Sequence, residues 1–114
     1  MIPERIELKK QSRVLLLQYP DNSSFELGFE FLRVHSPSAE VQGHGKPILQ
    51  HGKKNVTLDR LEQAGNYALK LTFDDGHDSG LYTWEYLRKL CQEQNVLWQK
   101  YLEDIQKSGL SRET

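Results

Sequence analysis

Apolar and polar residues alternate in the first quarter of the chain in the manner of a β-meander. Ile6 and Leu8 are separated by polar neighbours, and this period of two predicts a half-buried strand. The run 14–17 is apolar throughout, as is typical of a central strand covered on both faces. Residues 25–27 alternate again after a turn rich in Pro, Asp and Asn, and predict a third strand. Residues 28–34 then predict a short helix.

The middle of the chain predicts two further strands behind a long irregular segment. Residues 58–61 and 67–73 have strand patterning, and a turn at 64–66 joins them. Residues 36–55 have no periodicity and contain two prolines and three glycines. A loop of about twenty residues is uncommon inside a compact domain and is more often functional or disordered than neutral. We therefore treat this loop as a candidate functional segment.

Apolar residues at helical spacing predict two C-terminal helices. The first begins after residue 80, with Asp78 or Ser79 as its N-cap. The second begins near Val96 and ends near Gly109. The apolar positions are Leu81, Trp84, Leu87 and Cys91 in the first helix and Trp98, Tyr101, Leu102 and Ile105 in the second.

These elements predict a single α+β domain over residues 1–114. It consists of a small antiparallel β-sheet of about five strands, a short helix and two C-terminal helices. The core spans about 6–105, and the tail 108–114 is expected to fray. A chain of 114 residues is long enough to bury one core without disulfides or metal.

Composition and charge exclude several classes of protein. Fifteen basic and sixteen acidic residues give a net charge of −1, which provides no footprint for nucleic acid or an anionic membrane. A single cysteine excludes an internal disulfide framework and a zinc site made only of cysteines. The first ten residues lack the apolar core of a secretory signal, and no apolar run approaches the length of a membrane span. We therefore expect a cytoplasmic protein.

Candidate chemistry is concentrated at histidines and at one acidic turn. The four histidines, His35, His44, His51 and His77, have spacings that match no compact pair of metal ligands. The densest polar cluster is the turn 74–78, whose carboxylates and imidazole either bind a cation or serve as turn and cap residues. No nucleophile elbow or phosphate-binding glycine loop is present. Cys91 lies on the apolar face of a predicted helix, where a buried thiol is usually inert.

Two segments carry a family resemblance. FLRVHSPSAEVQGHG at 31–45 and FDDGHDSGLYTWEYL at 73–87 resemble the bacterial stand-alone members of the domain-of-unknown-function 971 (DUF971) family. That family is also described as the gamma-butyrobetaine hydroxylase-like N-terminal domain. The resemblance extends from about Ile6 to about Leu102. The second segment is the more specific, since a strand, a DGH turn and an aromatic helix follow one another there in fixed order.

The resemblance implies a zinc site whose ligands this sequence does not keep. In the hydroxylases, the small domain holds zinc through three cysteines and one histidine and precedes a separate Fe(II)- and 2-oxoglutarate-dependent catalytic domain. Placed on that pattern, the cysteine positions fall at Ser36, Ser38 and Val41, and the histidine position matches His77. The resemblance therefore supports the fold and argues against the same zinc site. It also predicts that this chain is not a hydroxylase, because the catalytic domain is absent, and we expect no enzyme because the sequence lacks a catalytic constellation.

Two functional readings are favoured over a third, an enzyme that acts at the loop 36–55. The first is a small accessory domain that binds a protein partner and serves iron–sulfur or metal-enzyme maturation, because the same domain is similar to segments attached to P-loop iron–sulfur carrier ATPases. The second is a metal-binding domain in which His77, with His35 or His44 and with Asp75, holds zinc or iron in place of the family's site. Neither reading involves nucleic acid or a membrane.

Overall fold

The computed structural model describes residues 1–43 and 47–113 and confirms the α+β class. Two three-stranded antiparallel sheets and three helices make up this part of the chain. In chain order the elements are β1 (Arg5–Lys9), β2 (Val14–Gln18), β3 (Ser24–Gly28), α1 (Phe29–Val34), α2 (Ala39–Gln42), β4 (Leu58–Ala64), β5 (Ala68–Phe73), β6 (Leu81–Thr83) and α3 (Trp84–Lys107).

The first sheet is the predicted meander, in the order β1-β2-β3. Leu15 and Leu17 on the central strand β2 are fully buried on the face that joins the main core. Leu16 points to the opposite face because successive strand side chains alternate. Its register partners there are Glu7 on β1 and Glu26 on β3. Leu16 is also buried, but it lies outside the main cluster of core side chains.

The second sheet corrects the prediction of one sheet of about five strands. Its order is β4-β5-β6, so the described residues form six strands in two sheets. Leu81 and Tyr82 belong to the short strand β6 and not to a helix. Tyr82 is fully buried opposite Leu69, whereas Leu81 is exposed opposite Lys70. This change from exposed to buried between adjacent residues is the period of a strand.

A single helix, α3, replaces the two C-terminal helices that the sequence predicts. It starts at Trp84, and the Thr83 hydroxyl accepts a 3.1 Å hydrogen bond from the Tyr86 amide. The predicted N-caps Asp78 and Ser79 are therefore wrong. Residues 92–95 do not break the helix, because they contain neither Gly nor Pro and Gln and Glu are good helix formers. None of the helices in the described ranges has the length and apolar character needed to cross a membrane.

The long loop and the C-terminal tail are bound to the body of the protein. Within the loop, 39–42 form α2. The tail, expected to fray, instead runs beside residues 52–54: the Gly52 amide donates to the Ser111 carbonyl at 2.8 Å and the Lys54 amide to the Arg112 carbonyl at 2.9 Å. Arg112 also binds both carboxylate oxygens of the buried Glu30. The tail through residue 113 is thus attached next to α1.

Candidate functional site

Three of the four positions that the resemblance assigns to a zinc site meet in direct contact. Ser36 follows α1, and Ser38 is the N-cap of α2, where its side chain accepts from the Val41 amide. His77 lies in the turn between β5 and β6, where its carbonyl accepts from the Phe73 amide at 3.0 Å. Val41 is buried one helical turn beyond Ser38. The fold therefore brings segments about forty residues apart into one cluster.

Hydrogen bonds connect the polar members of this Ser-His cluster, which consists of Ser36, Ser38 and His77. The Nε2 atom of His77 lies 2.8 Å from the Ser36 hydroxyl oxygen and 3.3 Å from that of Ser38. Its Nδ1 atom lies 3.5 Å from a carboxylate oxygen of Glu40. All three members of the cluster are buried. Burial lowers the pKa of His77, and the nearby charge of Arg33 lowers it further, so the imidazole is neutral near pH 7.

An ion pair between the buried Arg33 and the partly exposed Asp75 holds the turn that carries His77. The Arg33 Nε atom donates to Asp75 at 2.8 Å, and the Lys53 ammonium donates to the same oxygen at 2.6 Å. The other oxygen of Asp75 accepts from the His77 amide at 3.1 Å. Burial would raise the pKa of Asp75, but these hydrogen bonds outweigh it and lower the pKa to about 2. Asp75 is thus a structural anchor between α1 and the turn.

His35 is held separately. Its Nδ1 atom lies 2.9 Å from the Phe31 carbonyl oxygen, so Nδ1–H donates and Nε2 keeps its lone pair. Burial lowers the pKa of His35. The ring lines a cavity of about 390 Å³ between residues 47–50 and α3. His44 lies outside the described residues, so a metal site built from His77, His35 and His44 stays a prediction. Within 1–43 and 47–113, no three His, Cys, Asp or Glu side chains are grouped so as to hold a metal ion.

The donor set at 36, 38, 41 and 77 does not fit the zinc of the related hydroxylases. It offers one imidazole nitrogen, two neutral hydroxyl oxygens and an aliphatic side chain. Structural zinc sites use thiolate and imidazole ligands that complete a tetrahedron. The two hydroxyls are instead within hydrogen-bonding distance of the imidazole nitrogen that a metal would need.

The same residues also resemble a serine–histidine–carboxylate catalytic arrangement. His77 lies between Ser36 and Glu40 in space, so Ser36 takes the position of a nucleophile, His77 that of a base and Glu40 that of the acid that orients the base. Ser36, however, has no exposed surface, so a substrate cannot reach its hydroxyl. The Glu40 side chain is 74% exposed and lies at the limit of an ion-pair contact with His77. The arrangement is therefore structural.

A second feature is a groove between α1 and α3, with a volume of about 390 Å³. We call it the α1–α3 groove, and its lining residues are Arg13, Gly28, Phe29, Glu30, Phe31, Lys54, Gln94, Asn95 and Trp98. The exposed Arg13 guanidinium lies 5.4 Å above the Phe29 ring and bonds the neutral acceptors Val56 O and Thr57 Oγ1. No carboxylate of the described residues forms an ion pair with Arg13.

No pattern in the sequence predicts the α1–α3 groove. Arg13 comes from the β1–β2 turn, Lys54 from the long loop and Trp98 from α3. No linear motif relates these three positions. The one signal in the sequence is the aromatic content of the last third of the chain, which does not distinguish a core residue such as Trp84 from one at a groove such as Trp98.

Comparisons with known proteins find relatives over nearly the whole chain. A family model described as "Gamma-butyrobetaine hydroxylase-like, N-terminal" matches residues 6–88. An NMR solution structure 57% identical to this chain covers 98% of it and matches over 90% of its own length, with a TM-score of 0.88. A second NMR solution structure, 46% identical, covers 97% of this chain and 84% of its own, with a TM-score of 0.84.

A crystal structure from Acidithiobacillus ferrooxidans ATCC 23270 is also similar. It is described as a protein of unknown function in the DUF971 family, and it is 39% identical over 77% of this chain and 90% of its own, with a TM-score of 0.66. No curated protein matches the chain.

Proposed function

This chain belongs to the gamma-butyrobetaine hydroxylase-like N-terminal (DUF971) family, and from that premise we propose that it is an accessory domain that binds a protein partner. The partner class that we propose is a protein engaged in assembling iron–sulfur or other metal centres. The similarity of this domain to segments attached to P-loop iron–sulfur carrier ATPases supports that class. The domain itself carries out no chemical step in this proposal.

The observation that carries the proposal is the α1–α3 groove. Its lining includes the buried Phe29 and Phe31, the half-buried Trp98, over whose ring Arg112 lies, and polar residues of α3. Protein interfaces typically combine aromatic anchors with a polar rim, and Trp and Arg are enriched among the residues that carry the binding energy. The groove provides both types of residue at one place.

Charge complementarity indicates the kind of segment that fits. Arg13 presents a positive charge without a carboxylate partner in the described part of the chain. Glu30 at the back of the groove is already neutralised by two hydrogen bonds from Arg112. A partner segment with an Asp or Glu beside an apolar side chain would pair with Arg13 and bury the apolar group against Trp98.

Photo-crosslinking from two positions tests this proposal. A photoreactive amino acid in place of Asn95 reports on the groove, and the same group in place of the exposed Gln63 on β4 is the matched control. We expect position 95 to yield a discrete adduct with one protein in source cells and position 63 to yield none. An absence of adducts at 95, or the same adducts at both positions, would contradict the proposal.

The second step measures affinity with the protein identified at position 95. Arg13→Glu reverses the charge at the groove, and Arg60→Glu makes the same change on exposed β4, away from it. We expect Arg13→Glu to weaken binding at least tenfold and Arg60→Glu to leave it unchanged, with both variants folded by circular dichroism. Equal affinities for the two variants would place the partner elsewhere on the surface.

A further inference from the structure

Every buried polar side-chain atom of the Ser-His cluster has a hydrogen-bond partner. The Ser36 hydroxyl oxygen accepts from the Ser38 amide at 3.3 Å, and the Ser38 hydroxyl oxygen accepts from the Val41 amide at 3.4 Å. The Ser36 hydroxyl, at 2.8 Å, donates to the single lone pair of His77 Nε2, because Nδ1 faces the carboxylate of Glu40, and the Ser38 hydroxyl lies farther from Nε2, at 3.3 Å. Thr72 Oγ1 is the one buried side-chain oxygen or nitrogen of the described residues without a partner, and it lies outside this cluster.

The backbone approaches the cluster closely at Gly80. A Cβ atom placed on Gly80 would lie 2.5 Å from the Ser36 hydroxyl oxygen and 3.2 Å from a ring carbon of Tyr82. Gly80 therefore allows the turn after His77 to approach the segment that carries Ser36. The two segments are held at a spacing that two serine hydroxyls and one imidazole fill.

We infer that hydrogen bonds among Ser36, Ser38 and His77 fasten these two segments here in place of a bound zinc ion, and that the fold still brings three of the four positions of a zinc site into contact. The disagreement between donor chemistry and fold family motivates the inference. The hydroxyls at 36 and 38 have no thiolate character, yet their side chains already reach the one imidazole nitrogen available. Val41, the fourth position, is buried one helical turn beyond Ser38 and lines the cavity beside His35.

Distances support the second half of the inference. Tetrahedral zinc with sulfur and nitrogen ligands places neighbouring ligand atoms about 3.5 Å apart. The distance from His77 Nε2 to the Ser38 hydroxyl oxygen, 3.3 Å, is close to this value, and the distance to the Ser36 hydroxyl oxygen, 2.8 Å, would have to lengthen. Replacing oxygen by sulfur at 36 and 38 would thus require small adjustments and no rearrangement of the turn or of α2. The inference does not depend on the partner proposed above.

Zinc binding by the wild-type chain is the first test. Full-length protein without a tag, purified without chelator, is analysed by native mass spectrometry beside His77→Ala. We expect wild-type protein free of zinc, with a melting temperature that neither added zinc nor a chelator changes. A stoichiometric metal that is lost in His77→Ala would overturn the inference and support a histidine-based metal site.

The second test restores the thiolates. The triple variant Ser36→Cys/Ser38→Cys/Val41→Cys is expected to bind one zinc ion per chain, to show thiolate-to-metal absorption with cobalt, and to lose melting temperature with a chelator. The same triple change combined with His77→Ala should lose most of this affinity. A folded triple variant with reactive thiols and no bound metal would show that the backbone does not hold a zinc site.

A third variant decides the inference if the triple variant does not accumulate. Ser36→Ala removes the shortest bond to His77 and keeps the volume of the side chain nearly unchanged. We expect the ratio of unfolded to folded protein to rise about tenfold, because a buried imidazole nitrogen loses its donor. An exposed control, Ser79→Ala, should not change this ratio. An unchanged ratio for Ser36→Ala would overturn the fastening by hydrogen bonds.

Discussion

The hydroxyl of Tyr82 donates a 2.6 Å hydrogen bond to the carbonyl oxygen of Leu32, and both residues are fully buried. This bond joins β6 to α1 across fifty residues of sequence. Ser36 follows α1 and His77 precedes β6, so the bond lies directly behind the Ser-His cluster. It fixes the distance between the two segments that the cluster connects.

Tyr82→Phe is expected to destabilise the protein by about 1–3 kcal/mol, because the Leu32 carbonyl loses its side-chain donor at a fully buried position. Chemical denaturation measures this change. Tyr67→Phe is the matched control, since the Tyr67 side chain is exposed, and it should change the free energy of unfolding by less than about 0.5 kcal/mol. Equal effects of the two changes would show that the buried hydrogen bond contributes nothing specific.

Truncation of a leucine to alanine should lower the free energy of unfolding by different amounts on the two faces of β2. Leu17→Ala opens a cavity in the main core and is expected to cost about 2–5 kcal/mol. Leu16→Ala is expected to cost less, about 1–2 kcal/mol, because Leu16 packs beneath Glu7 and Glu26 on the outer face, where flexible side chains can close over the gap. Urea unfolding of both variants checks the order. A larger loss for Leu16→Ala would place the core on the other face of the sheet.

Acid should weaken the protein through Asp75. The pKa of Asp75 is about 2 in the folded protein and near its ordinary value of 3.8 in the unfolded chain. The folded state therefore binds fewer protons, so ionised Asp75 stabilises it fully above about pH 4, and this stabilisation is lost as the pH falls toward 2. Because Asp75 is partly exposed, solvent screening limits the contribution to about 1 kcal/mol. Denaturation midpoints measured from pH 6 to pH 2 follow this loss.

The control for the titration of Asp75 is the variant Asp75→Asn, whose side-chain amide replaces the carboxylate. Asp75→Asn cannot titrate, and it leaves the buried Arg33 without its anion, so the variant should be less stable at neutral pH and should show a flatter decline between about pH 4 and 2. The exposed variant Asp59→Asn should keep the wild-type profile. If denaturation midpoints fall with decreasing pH in the same way in Asp75→Asn and in wild type, Asp75 does not cause the loss of stability in acid.

Cys91 is expected to be inert in the folded protein. Burial raises the pKa of the thiol to about 11, and the Tyr19 hydroxyl lies 4.0 Å from the sulfur. Because the thiolate is the reactive form, a disulfide exchange reagent at pH 8 should label native protein at least about a hundredfold more slowly than protein unfolded in guanidinium. Similar rates in the two states would mean that α3 leaves the thiol accessible.

Local patterns in the sequence predicted most of the elements correctly, and the errors have a common cause. The sequence predicts the meander and α1 correctly because each element buries one face against the core, so its apolar residues recur with the period of a strand or of a helix. Residues 81–83 were assigned to a helix because Leu81, Trp84 and Leu87 have helical spacing. Their strand pairing with β5 depends on residues outside that window. The polar residues 92–95 interrupt the apolar pattern and so predict a break, although nothing in them stops a helix.

The sequence by itself determined the family, the α+β class and the lack of thiolates at 36, 38 and 41, since each of these is a property of residue identity or of local period. The tertiary structure alone decided that Ser36 and Ser38 meet His77, that the chain forms two sheets, and that Arg13 and Trp98 line one groove. These relationships join residues tens of positions apart. They follow from how the sheets and α3 pack together. The local sequence around one residue of such a pair does not indicate which distant residue it contacts.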